Sequence, residues 1–182
     1  MGSSLAGRLL VATPHIFDPN FSRAVVLIIE HGPDGALGVV LNRATEEPVA
    51  AHVPQWADLV AAPAVVFVGG PVSNEIAVGL AQAPVPAPEG YDPVFADIGL
   101  FDLSLAPGDF AAIAHLRVFS GYSGWERAQL EGELEAGGWF LADARPSDVF
   151  TTDPERLWRE VIARQPGRLA FYATFPPDPR MN

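Results

Sequence analysis

The sequence predicts an α+β fold, and three observations carry that reading. Short runs of β-branched and apolar residues dominate the first two-thirds of the chain. Segments with helix start and stop signals come in the last third. Strands and helices do not alternate in the βαβα order that would indicate a parallel sheet.

The elements follow in chain order. Residues 24–29, Ala-Val-Val-Leu-Ile-Ile, are apolar at every position and predict a central strand covered on both faces. Glu30-His31-Gly32-Pro33-Asp34-Gly35 carries turn chemistry, and residues 36–41 form a second apolar run. Together they predict a hairpin with a six-residue connection. Residues 48–60 are helix-like, but Pro54 interrupts them and predicts two short pieces. Residues 64–68 predict another buried strand, closed by Gly69-Gly70-Pro71. Pro84, Pro86 and Pro88 alternate along an extended loop, read as internal to a single domain spanning residues 1–182. Residues 76–81, 94–103 and 111–119 predict further strands, and residues 169–175 a late one.

Two helices have usable signals. Ser123 and Glu126 stand at the spacing of a capping box, with Gly137-Gly138 as the stop. Asp153 precedes Pro154 and Glu155, as a cap before a first turn, and Leu157, Trp158, Val161 and Ile162 then form one apolar stripe.

Composition removes whole classes of chemistry. The chain has 182 residues, 22 acids against 11 basic residues, and a net charge of −11. All of the basic residues are Arg, and Cys is absent. A Schiff-base or P-loop lysine, a cysteine nucleophile, a disulfide and a thiolate metal site are therefore excluded. The charge opposes a phosphate backbone, so direct nucleic-acid binding is not expected. No apolar run approaches the ~20 residues that span a bilayer, and the first residues lack a signal-peptide core. The expectation is a cytoplasmic protein without membrane contact.

Few side chains suggest a site. His15, His31, His52 and His115 show no helical metal spacing, so no metal site is expected. His31 stands beside Glu30 at the hairpin tip, either as a site residue or as a bond to the turn. His115 and Arg117 alternate along one strand face, which predicts a solvated face. Gly121-Tyr122-Ser123-Gly124-Trp125 lacks the final Gly of a nucleophile elbow, so a helix cap explains Ser123 better. Gly69 and Gly70 follow a strand as a phosphate loop would, yet lack the rest of such a motif. Arg23 enters the first hairpin strand and Asn42-Arg43 leaves the second, so both Arg fall at the end remote from the turn, near Asp18. They either bind an anion or a partner carboxylate, or form an internal Arg–Asp pair.

The motif set resembles the YqgE/AlgH family, also called UPF0301 or DUF179. The resemblance rests on Gly7-Arg8-Leu9-Leu10-Val11-Ala12-Thr13-Pro14, Asp18-Pro19-Asn20-Phe21-Ser22-Arg23 and Gly35-Ala36-Leu37-Gly38-Val39-Val40-Leu41-Asn42-Arg43. It continues through Phe67-Val68-Gly69-Gly70-Pro71, Phe119-Ser120-Gly121-Tyr122-Ser123-Gly124-Trp125 and Gly138-Trp139-Phe140. Ala128 stands where many relatives have Gly, and helix propensity predicts a benefit from it.

The resemblance implies a bifurcated, mostly antiparallel sheet folded into a pseudo-barrel with a few flanking helices. It implies no catalytic residue and no cofactor. Some members carry the label of transcriptional regulator, but the helical segments here are rich in Glu and form no basic recognition helix. The leading expectation is a non-enzymatic binding or regulatory module acting through a protein or small-molecule partner. The alternatives are a small-molecule enzyme with a pocket near Arg23, His31, Asn42 and Arg43, and, least favoured, a direct DNA binder. Candidate binding residues are Arg23, His31, Asn42, Arg43, Gly69 and Gly70.

Overall fold

A computed structural model describes residues 3–107 and 113–174. Ten strands form one sheet curled into a half-barrel. They are β1 (Arg8–Ala12), β2 (Val25–Gly32), β3 (Gly35–Val40), β4 (Ala44–Pro48), β5 (Val65–Val68), β6 (Val72–Gln82), β7 (Tyr91–Phe95), β8 (Ile98–Phe101), β9 (His115–Glu126) and β10 (Trp139–Asp143). The main path runs β10-β1-β2-β3-β9-β6-β8-β7, and β4 and β5 branch from it. The helices are α1 (Gln129–Glu135), α2 (Pro146–Val149) and α3 (Pro154–Ala163).

Strand periodicity divides the core into layers. On β1 and β2, Leu9, Val11, Val25, Leu27 and Ile29 face one cluster, while Leu10, Ala12, Val26 and Ile28 face another. The first cluster is closed by the α3 stripe of Leu157, Trp158, Val161 and Ile162, as predicted. The indole N–H of Trp158 donates to the Ala12 carbonyl at 2.8 Å, which fixes the helix on β1. The second cluster holds Trp125, Trp139 and Leu130. One carboxylate oxygen, Glu133 Oε2, accepts both indole N–H groups, at 3.0 Å from Trp125 and 2.8 Å from Trp139. A third cluster gathers around Trp56, Phe101 and Leu116.

The sheet forks at β9. Its last residues, 123–126, pair with β3, its earlier residues pair with β6 on the opposite edge, and β5 runs parallel to it at Phe119 and Ser120. Gly69 stitches the fork. Its N–H donates to the Ser120 carbonyl at 2.9 Å, and its carbonyl accepts from Val40 N–H at 2.8 Å and the Ser123 hydroxyl at 3.1 Å.

Several expectations change. The hairpin strands continue through the predicted connection, leaving Pro33 and Asp34 as a two-residue turn. Residues 94–103 split into β7 and β8 around a tight turn at residues 96–97. Of the predicted 111–119 strand, residues 111–112 lie outside the described residues, residues 113–114 are irregular, and residues 115–119 belong to the longer β9. Residues 169–174 are part of a 3-10 helix, Gly167–Thr174, that packs back on α3, with Tyr172 against Phe140 at 5.5 Å between ring centroids. Phe175 lies outside the described residues.

Ser123 caps no helix: it belongs to β9, and α1 begins only at Gln129. Ala128, at the N-cap, has φ +61°, so its backbone is left-handed and favours Gly, and the expected benefit of Ala to a helix does not apply there. Asp153 holds the N-cap position of α3, but its carbonyl rather than its side chain bonds into the first turn, accepting from Arg156 N–H at 3.2 Å. The 48–60 segment is two short helices as predicted, both 3-10 in type. Strands β1, β4 and β10 lie outside the runs whose pattern predicts strands.

Arg117 is not on a solvated face. It is fully buried, while His115 is exposed. Two residues before Phe119 on an alternating strand, it shares the face of that core phenylalanine.

Candidate functional site

Arg23 and Arg43 diverge from the open end of the hairpin. Arg23 has φ +55°, and its guanidinium carbon lies 4.4 Å from the centroid of a Trp158 ring. Burial lowers its pKa, and the nearby charge of Arg159 lowers it further. Arg43 turns toward the 19–22 loop, donating to the carbonyls of Ser22 and, at 3.5 Å, Pro19. Burial lowers its pKa as well. Asp18 pairs with neither; its carboxylate accepts Asn20 N–H at 2.8 Å. The expected Arg–Asp pair is thus replaced by an Arg–carbonyl tie that fixes the same loop.

Asn42 serves the backbone. Its carbonyl accepts Val25 N–H at 3.0 Å and its amide donates to the Arg23 carbonyl at 2.9 Å, so it sets where β2 starts. His31 stands at the other end of the hairpin. Its Nδ1 accepts Leu5 N–H at 3.2 Å and its Nε2 lies 2.9 Å from Glu131 Oε1. With Nδ1 as acceptor, the neutral ring carries its proton on Nε2. His31 thereby ties the chain start to α1. The Glu131 pKa is lowered by a backbone hydrogen bond first and by His31 second.

His31 and Arg43 lie more than about 15 Å apart along the hairpin, at ~3.3 Å per residue. They line separate depressions: His31 one of about 420 Å³ with Asp34 and Trp125, Arg43 one of about 250 Å³ with Asn20 and Gly70. The four polar residues proposed to share a pocket do not share one. Gly69 and Gly70 are required by close approach: a Cβ on Gly69 would strike the Gly121 carbonyl, and one on Gly70 the Tyr122 backbone.

A third depression lies at the fork, where sequence reasoning placed nothing. Strands β4, β5, β6 and β9 frame a cleft of about 450 Å³ floored by Val53, Val66 and Val118. Val68 and Ile76 stand exposed on its walls, at 39% and 47% of their full accessible surface. One wall is an arch. Val72 pairs with Tyr122 and Ala77 with Ser120, so residues 73–76 bow outward opposite Gly121 alone. Ser73 sits at φ +50°, and the Ser120 hydroxyl holds the arch by donating to the Asn74 carbonyl at 2.6 Å. Val68 and Ile76 are ordinary strand residues, and nothing local in Ser73-Asn74-Glu75 marks a cleft, so only the pairing register reveals it.

Comparison with known proteins places this geometry in company. A family model described as DUF179, AlgH-like, matches residues 9–170. A UPF0301 protein of Streptomyces coelicolor is 52% identical, over 99% of this chain and 96% of its own. A UPF0301 protein of Mycobacterium tuberculosis is 43% identical, over 97% of this chain and 90% of its own. The crystal structure of a Corynebacterium diphtheriae protein superposes with a TM-score of 0.89 at 30% identity, covering 96% of this chain and 94% of that one. The solution structure of the AlgH protein from Pseudomonas aeruginosa gives 0.71 at 26% identity, covering 97% and 96%.

Proposed function

This chain belongs to the AlgH-like DUF179 family, and from that membership we propose that it is a non-enzymatic binding or regulatory module whose ligand surface is the cleft at the sheet fork. The observation that carries this reading is a division of labour. The polar side chains of the matched motifs spend their bonds on the fold: Asn42 on β2, Arg43 on the 19–22 loop, His31 on α1, and Ser123 on Gly69. The cleft instead gathers exposed apolar side chains and a few polar groups in one concave surface beside an arch with a left-handed residue, which is the composition of a small-molecule site.

The test combines binding with turnover. Amide resonances of isotope-labelled protein are followed while small apolar molecules are added, and the same molecules join a metabolite panel assayed for conversion. Saturable shifts at Val68, Ile76 and Val118 without turnover support the module. Turnover that disappears on replacing Arg23 or His31 contradicts it.

A further inference from the structure

The rim of the fork cleft has a charge character that its floor lacks. The charged and titratable side chains lining it are Glu47, Glu75 and His52, with His52 Nε2 3.4 Å from Glu47 Oε2, and no Arg lines it. Glu75 forms no ion pair among the described residues. The whole chain adds a net charge of −11, which deepens the negative potential over such a depression. The volume falls in the range of roughly 300–1,000 Å³ typical of small-molecule sites. Apolar walls with a few polar groups at the edge are the usual composition of such sites.

We propose that the cleft binds a small apolar molecule carrying one positive charge, an alkylamine or arylalkylamine. This rests on the binding role proposed above and adds the chemical class of the ligand. The hydrocarbon body lies on Val66, Val118, Val68 and Ile76, releasing water from their surfaces. The ammonium group reaches the rim, where the Glu75 carboxylate accepts its hydrogen bonds and Glu47 adds to the attraction. An anion of the same shape meets two carboxylates, with no Arg and only His52, already beside Glu47, to offset them. The exposed position keeps the charge effect modest, so the hydrocarbon sets the affinity and the charge sets the choice.

Three isosteric probes separate these contributions: hexylamine, 1-hexanol and sodium hexanoate, each titrated into labelled protein while amide resonances are followed. Hexylamine is expected to shift the amides of Val68, Ile76, Ala77 and Ser120 saturably and to bind about fivefold more tightly than hexanol. Hexanoate is expected to leave them in place. In the Glu47→Gln, Glu75→Gln double variant, at two exposed positions, hexylamine falls to the hexanol affinity and hexanol is unchanged.

Equal binding of hexanol and hexylamine overturns the charge preference while keeping a binding cleft. Cleft amides unmoved by all three probes overturn both the inference and the binding role at this site. Hexylamine shifts scattered over the acidic surface overturn it as non-specific ion pairing. Tighter binding of an acetylated Leu-Arg-Leu tripeptide reassigns the cleft to a protein segment. Concentration-dependent dimerisation that shifts the same amides reassigns it to a second copy of the chain.

Discussion

The guanidinium carbon of Arg117 lies 4.3 Å from the centroid of the Phe67 ring, and both side chains are sealed from solvent. Its Nη1 donates to the Thr151 carbonyl at 2.8 Å, and its Nη2 to those of Ala62 at 2.7 Å and Ala61 at 3.3 Å. Nε has no partner among the described residues, and burial brings the pKa down to about 10. A buried cation held by carbonyls and a ring joins β9 to the Thr151 loop and adds to the single bridge, Val60 to Leu116, that holds the 60–62 loop on β9. Arg117→Ala removes these bonds and opens a cavity against Phe67, at an expected cost of about 3 kcal/mol or more. Arg117→Met fills the space and restores only part of that. Denaturant unfolding of the two variants checks the order.

Ala128 gives a prediction of opposite sign. Its left-handed backbone costs an L-residue about 1–2 kcal/mol that glycine avoids. Ala128→Gly is therefore expected to stabilise the protein by about 1 kcal/mol, despite the lower helix propensity of glycine. A rise in the unfolding midpoint at unchanged slope is the expected reading.

Gly70 meets the Tyr122 backbone where β5 ends beside β9. Gly70→Ala must push the two strands apart and is expected to cost about 1–3 kcal/mol. If the residue served ligand contact instead, stability would hold and only binding would fall. Thermal unfolding beside the probe titrations separates the two.

Tyr91 carries a buried hydroxyl with no partner among the described residues, and burial, then Asp97, raises its pKa to about 12. The folded state therefore holds this proton more tightly than the unfolded chain. Its contribution is fully present below pH ~10 and is lost as pH rises from there toward 12. Tyr91→Phe is expected to leave neutral-pH stability equal or higher and to flatten that alkaline decline. Stability measured across alkaline pH reads it directly.

The parts of the fold that follow a single periodicity were legible in the sequence. Residues 25–29 of β2 are apolar at every position because both faces of the strand are covered there, and α3 announces itself through Pro154 and the Leu157–Ile162 stripe. Ser123 misled because a capping-box spacing coincides with the end of a long strand, and local spacing cannot see Gly69 across the fork. Arg117 shares its strand face with exposed His115, which predicts exposure, although Phe119 on the same face is core. The family resemblance conveyed the forked sheet but no site. The cleft was illegible because Val68 and Ile76 have the composition of buried strand residues, and only the slip between Val72 and Ala77 exposes them.

The most direct test of the binding role is a crystallographic fragment screen on the intact chain. The account predicts that fragments gather in the fork cleft between Val68 and Ile76, with cationic fragments directed at Glu75. Fragments collecting instead at the His31 end of the hairpin or beside Arg43, with the cleft left empty, would contradict it.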